Sequence, residues 1–151
     1  MPEFTAIYRR LGQEHRLPVL LPASLANYNP ASYAGTLDHA RFDADVAAAR
    51  AAGEPVFDIV LETPWARRTD AETAYRAMFQ AIPDGLTFLS MHFNRPGDFD
   101  AINPEAFHIR TEEYALFCTP IIKRWVEELG LEVIGMRTLQ EELHGRRATA
   151  S

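Results

Sequence analysis

One cysteine, Cys118, stands in the whole chain, so neither an internal disulfide nor a thiolate metal cluster can form. Its neighbours Tyr114, Phe117, Ile121 and Trp125 predict a buried, inert thiol rather than a nucleophile. Long apolar runs are missing too: none approaches the roughly 18–20 residues needed to cross a bilayer. The N-terminus lacks the basic-then-apolar layout of a secretory leader. The expected setting is therefore cytoplasmic, with no membrane partner. Basic charge is in short supply, since 15 Lys and Arg face 21 Asp and Glu for a net charge of −6. With no basic stripe to offset that balance, a nucleic-acid partner is not expected. No serine sits in a G-x-S-x-G turn, and the eight glycines are scattered rather than gathered into a phosphate-cradling loop. The five histidines are His15, His39, His92, His108 and His144, and none forms an HxH, HxxH or HxxxH pair. A complete zinc or iron site within this chain is thus not expected.

What is present reads as an ordinary globular chain of 151 residues, 47% hydrophobic and 24% charged. The length fits a single domain, taken as residues 1–144, followed by a tail at 145–151 without apolar content that should be disordered. Pro2 with Phe4, Ile7, Tyr8 and Leu11 at helical spacing predicts a helix almost from the first residue, with His15 at its exposed end. Leu17 to Pro22 reads as a short strand bracketed by prolines, and Ala23 to Arg41 as a long loop holding His39 beside Asp38. Asp43 is placed to cap a helix ending at Gly53, with Phe42 as its staple. Val56 to Leu61 is a second strand, and Glu62 to Arg68 a loop. Thr69 and Glu72 form a capping box for a helix whose apolar face is Ala71, Tyr75, Met78, Phe79 and Ile82. Further on, Ile109 to Phe117 is a helix. Thr119-Pro120 restarts it, and Ile121, Trp125, Val126 and Leu129 point inward before a stop at Gly130. Leu131 to Met136 is a last strand. Thr138 and Glu141 then open a final helix, with His144 near its C-terminus where the helix dipole favours a cation.

Alternating helices and short apolar strands predict an α/β fold of parallel β/α units. Four strands are few for a complete barrel, which has eight units and typically about 250 residues. An open sheet or part of a larger barrel fits the length better.

The stretch around which the rest is organised is Leu86 to Asp98, LTFLSMHFNRPGD. A short buried strand introduced by the turn Pro83-Asp84-Gly85 ends at His92. A loop of turn formers follows, among them Asn94, Pro96, Gly97 and Asp98. A histidine where a buried strand opens into a loop is where α/β enzymes place catalytic groups. Asp98 and Asp100 are close enough in sequence to orient that ring and raise its basicity. His108 starts a helix that could line the same cleft. Arg110 and Glu113 fall at i, i+3 on one helix and can pair, as an ordinary surface couple would.

Nearly the whole run from Phe4 to Leu143 resembles the C-terminal half of the YdjC-like carbohydrate deacetylases, relatives of the polysaccharide deacetylases. The resemblance is carried by FTAIYRRLGQEHRLPVLLP, by PDGLTFLSMHFNRPGD and by IRTEEYALFCTPIIKRWVEELGLEVIGMRTL. The last of these holds the R-x-x-E of Arg110 and Glu113 and the Thr-Pro restart. It implies half of a deformed β/α barrel and hydrolysis of the N-acetyl group of an amino sugar or oligosaccharide. His92 would protonate the departing amine or position substrate, with Asn94, Asp98, His108 and Arg110 as substrate-binding or orienting residues. It also implies a divalent metal, Mg or Zn, activating water. In that family the metal-binding Asp and ligand histidines precede the segment that this chain resembles, and none of those motifs occurs here. The expectation is therefore a part-barrel lacking the metal ligands, to be completed by a missing N-terminal half or by self-association along exposed strand edges. Two rivals remain. One is a non-catalytic binding module built on the same fold piece, and the other is an unrelated small α/β enzyme using His92 and Asp98 without metal.

Overall fold

A computed structural model describes residues 2–25 and 38–148, with backbone alone at residues 2–3 and 143–148. Among these residues the chain forms seven helices and one two-stranded parallel sheet, a mixed α/β arrangement. By its contacts the chain clusters into two compact units: residues 1–60, 84–88 and 134–151 in the first, 61–83 and 89–133 in the second.

The first unit holds α1 (Pro2–His15), α2 (His39–Ala51) and α7 (Met136–Ala148). Helix α2 begins four residues before the expected Asp43, because Asp38 accepts the Arg41 N–H at 3.0 Å and caps it. His39 is accordingly the first residue of α2 and not part of a loop; residues 26–37 of that expected loop lie outside the described residues. Gly53, with φ +69, follows the end of α2 as expected. Val46 and Ala49 of α2 are buried with Leu21, against Phe42 and Val56. Along α1, the side chains of Phe4, Ile7, Tyr8 and Leu11 are exposed. From α1, Arg9 donates to Glu54 at 3.0 Å and Gln13 donates to the same carboxylate.

The strand expected at 17–22 shrinks to a single parallel bridge between Pro22 and Phe57. The residues on either side of Pro22 make it: the Phe57 N–H donates to the Leu21 carbonyl at 2.9 Å, and the Ala23 N–H donates to the Phe57 carbonyl at 2.7 Å. The turn at 83–85 is present. Gly85 has φ +116, and a side chain there would run into Asp58, whose carboxylate accepts the Leu86 N–H at 2.9 Å. Asp58 N–H in turn donates to the Leu86 carbonyl at 2.8 Å, which starts the pairing of β1 (Ile59–Glu62) with β2 (Thr87–Ser90).

The second unit carries α3 (Ala71–Gln80), α4 (Phe99–Ile102), α5 (Pro104–Phe117) and α6 (Ile121–Glu128). Asp70, not Thr69, caps α3: its carboxylate accepts both the backbone N–H and the hydroxyl of Thr73 at 2.8 Å. Those two bonds, the backbone one first, hold the Asp70 carboxyl below its ordinary 3.8. Helix α5 starts five residues before the expected Ile109, since Asn103 caps it through the Ala106 N–H and Pro104 fills its first turn. At the α5–α6 joint Thr119 does not cap α6; its hydroxyl donates back to the Leu116 carbonyl at 2.6 Å. Cys118 follows the last turn of α5 and is exposed, contrary to the buried thiol expected from its aromatic neighbours.

No strand forms at 131–136. The Leu131 N–H closes back on the Val126 carbonyl at 2.9 Å after Gly130, and Val133 is 78% exposed with no strand beside it. Helix α7 then begins at Met136, two residues before Thr138, and its backbone runs through Gly145 to Ala148, where the start of a disordered tail was expected. Residues 149–151 lie outside the described residues.

Tyr75, Phe79, Leu116 and Trp125 form the core of the second unit, with Leu89, Met91 and Phe117 packed on it. Tyr75 meets the Phe117 ring edge-on at 5.4 Å, and Phe79 meets Trp125 at 5.9 Å. Both tryptophans of the chain lie in this unit, so their fluorescence reports its unfolding. Phe79 is 3% exposed, and Phe79→Ala should cost about 3–5 kcal/mol. A denaturant midpoint followed by tryptophan emission that does not move would refute this account of the core.

Candidate active site

His92 lies two residues beyond β2, and Thr63 one residue beyond β1. The parallel ladder continues past the strands, with Thr63 N–H donating to the Ser90 carbonyl at 3.2 Å, so the two residues leave the sheet side by side. Thr63 Oγ1 lies 2.9 Å from His92 Nδ1. The same hydroxyl donates to Glu113 Oε1 at 2.7 Å, and the His92 backbone N–H donates to Glu113 Oε2 at 2.7 Å. Tyr75 adds a third donor, its hydroxyl reaching Glu113 Oε1. Glu113 is completely buried, and one side chain thus ties the ends of β1 and β2 to α3 and α5.

A carboxylate removed from water needs donors in place of its hydration, and these three supply them. Burial first, and then the bond to Glu113, raises the Tyr75 hydroxyl well above its ordinary 10.0. At any ordinary pH Tyr75 is therefore a neutral donor to the carboxylate.

Aromatic rings and guanidinium groups surround this hub. Trp65 packs on His92 with ring centroids 4.8 Å apart. Arg110 lies over the Trp65 ring at 5.1 Å and over Phe99 at 4.8 Å, and its buried Nε has no hydrogen-bond partner. Arg67, with its side chain only 6% exposed, pairs with Glu112 through Nη2 and leaves a buried Nη1 without a partner.

The expected site residues divide accordingly. His92 and Arg110 share the neighbourhood through Trp65. Asn94 approaches it by backbone, its N–H donating to the Arg110 carbonyl at 3.4 Å, while its side chain accepts the Arg95 N–H. Asp98 is exposed at the start of α4 and makes no side-chain cap bond; the ring nitrogen it was expected to orient meets Thr63. His108 is exposed on α5, on a different face from Ile109 and Glu113, and no bond joins it to His92. The expected surface pairing of Arg110 with Glu113 does not form. Glu113 points into the core and Arg110 spreads over aromatic rings. His15 is exposed, and so is His39.

Three residues of the hub were not expected there: Thr63, Tyr75 and Glu113, the last read from sequence only as the surface partner of Arg110 in the R-x-x-E motif. Glu113 could have been found from helix spacing, because Ile109, Glu113 and Leu116 are the buried residues of α5 and share one face. Tyr75 reads as plain core unless its hydroxyl is asked for a partner. Thr63 sits at the end of a strand before Pro64, a position to inspect once β1 and β2 are known to be parallel neighbours.

Such an arrangement can hold an imidazole rigidly and move a proton through it. A divalent ion fits it less well. Among the described residues no three His, Cys, Asp or Glu side chains gather in one place, and both oxygens of Glu113 are already engaged. Among the described residues, too, no helix is long and apolar enough to cross a membrane.

The hub sets a pH limit. Tyr75 has a raised folded pKa, so its contribution to stability is complete below about pH 10 and is lost as pH rises beyond it. Tyr75→Phe should remove that alkaline dependence and lower stability by about 1–3 kcal/mol at neutral pH, since Glu113 loses one of its donors. Denaturant midpoints for both proteins between pH 8 and pH 11 check this, and parallel curves would contradict it.

No family model, curated protein or solved structure matches this chain.

Proposed function

We propose that this chain is the C-terminal part of a carbohydrate deacetylase-like hydrolase, about half of a deformed β/α barrel, in which His92 passes a proton to the departing amine of an N-acetylated amino sugar. One observation supports this above the others. Two of the three stretches that carry the family resemblance, 83–98 and 109–139, meet at the bond from the His92 N–H to Glu113, and the His92 ring is steadied there by Thr63. The histidine also stands at the C-terminal end of a parallel strand, where such folds place chemistry. The divalent ion implied by the resemblance finds no ligand set among the described residues. Its ligands would come from the N-terminal half that the family places ahead of this segment.

A second reading, an interaction module without chemistry, draws support from α1, whose Phe4, Ile7, Tyr8 and Leu11 face solvent rather than a core. The two readings part on sugar binding at His92. Titration of the isotopically labelled chain with N,N′-diacetylchitobiose should shift the His92 ring and Trp65 indole resonances. Neither resonance moving at saturating sugar would overturn the enzyme reading. In a form that releases acetate from the same sugar, His92→Ala should lower turnover about 10²–10⁴-fold with an unchanged melting curve. Turnover at the original rate would remove His92 from the chemistry.

A further inference from the structure

The position of one hydrogen in the hub fixes the chemical state of His92. Thr63 has a single hydroxyl proton and two partners, Glu113 Oε1 at 2.7 Å and His92 Nδ1 at 2.9 Å. As a carboxylate, Glu113 can only accept, so the Thr63 proton goes to it. The hydroxyl then offers Nδ1 nothing but lone pairs, and a hydrogen bond between them requires the hydrogen to be on Nδ1. On the other oxygen the His92 backbone N–H can only donate, which keeps Oε2 an acceptor. We infer that Thr63 and Glu113 are positioning residues that lock His92 in its Nδ1–H tautomer, leaving the lone pair on Nε2.

The consequence for catalysis rests on the functional reading above. A neutral His92 of this tautomer first takes a proton at Nε2, from water or from a substrate hydroxyl, and becomes an imidazolium. It then returns that proton from Nε2 to the leaving nitrogen, and the ring ends as it began. Throughout, Nδ1–H stays bonded to Thr63, whose own proton stays on Glu113. The positive charge thus faces a carboxylate through one hydroxyl, a longer version of the direct histidine–carboxylate contact.

The tautomer can be read without any substrate. Long-range proton–nitrogen correlation spectra of the ¹⁵N-histidine-labelled full chain, taken where His92 is neutral, should show a pyrrole-type Nδ1 and a pyridine-type Nε2. Glu113→Gln should reverse this assignment. The amide must turn its carbonyl to the His92 N–H, which sets its NH₂ against Thr63. Thr63 then accepts, and its released hydroxyl proton goes to Nδ1, so the hydrogen of the ring moves to Nε2. Thr63→Ser should keep the wild-type pattern, and Thr63→Val should relax it to a mixture. Amide dispersion checks the folding of each variant. A wild-type ring protonated on Nε2, or a folded Glu113→Gln variant that keeps Nδ1–H, would overturn the inference. Sugar is absent from these samples, so failure here is distinct from failure of the deacetylase reading, which is judged by sugar-induced shifts and turnover.

Discussion

Burial of Glu113 is the constraint on which the second unit depends. An isolated carboxylate in an apolar interior costs several kcal/mol, and removing a partner from a buried charged group is far more damaging than never having placed it there. Here three donors compensate it, and with the carboxylate they join four pieces of chain. The hydroxyl of Thr63 comes from the end of β1, the N–H of His92 from beyond β2, the phenol of Tyr75 from α3, and the carboxylate itself from α5. Each element must be in register for the others to be satisfied. The aromatic cluster of Tyr75, Phe79, Leu116 and Trp125 supplies the nonspecific part of the stability, and the polar hub selects one arrangement of these elements.

Much of this was legible in the sequence, and the rest was hidden for identifiable reasons. The α/β class followed from alternating periodicities, and a strand before His92 followed from the Pro83-Asp84-Gly85 turn and the apolar run behind it, although β2 stops at Ser90 and is half-buried rather than buried. The inward face of α3 was read correctly because Tyr75 and Phe79 repeat at helical spacing. Helix starts were misplaced wherever two capping residues competed. Asp38 prevailed over Asp43, Asp70 over Thr69, and Asn103 opened α5 ahead of the apolar pattern. Of the two expected strands that did not form, 17–22 pairs only at Pro22 and 131–136 turns back on α6, and periodicity does not reveal how far a pairing extends. Glu113 was misread for a related reason. Its charge suggested the surface, while its position on the face of Ile109 and Leu116 placed it inside. The residue type and the helical phase gave opposite answers, and three donors from distant segments decided for the phase.

The guanidinium groups near the site follow another logic. Arg110 is held mainly by ring faces, and Arg67 by Glu112, with one buried nitrogen of each left without a hydrogen-bond partner. Flat, weakly hydrated cations tolerate such surroundings better than an ammonium would, because stacking replaces part of the lost hydration. The positive charge near the site is therefore carried by planar groups rather than by a lysine ammonium, one of them resting on the Trp65 and Phe99 rings.

The same carboxylate places the chain under opposed selection. A well-packed apolar group at position 113, with matching changes at positions 63 and 75, would dispense with a buried charge, and such exchanges are often neutral or stabilising. Random drift under selection for stability alone would thus tend to erase the hub. A chain that keeps Glu113 together with Thr63 and Tyr75 therefore keeps a polar arrangement that burial alone does not demand, and it gains from it one fixed geometry at the ends of β1 and β2.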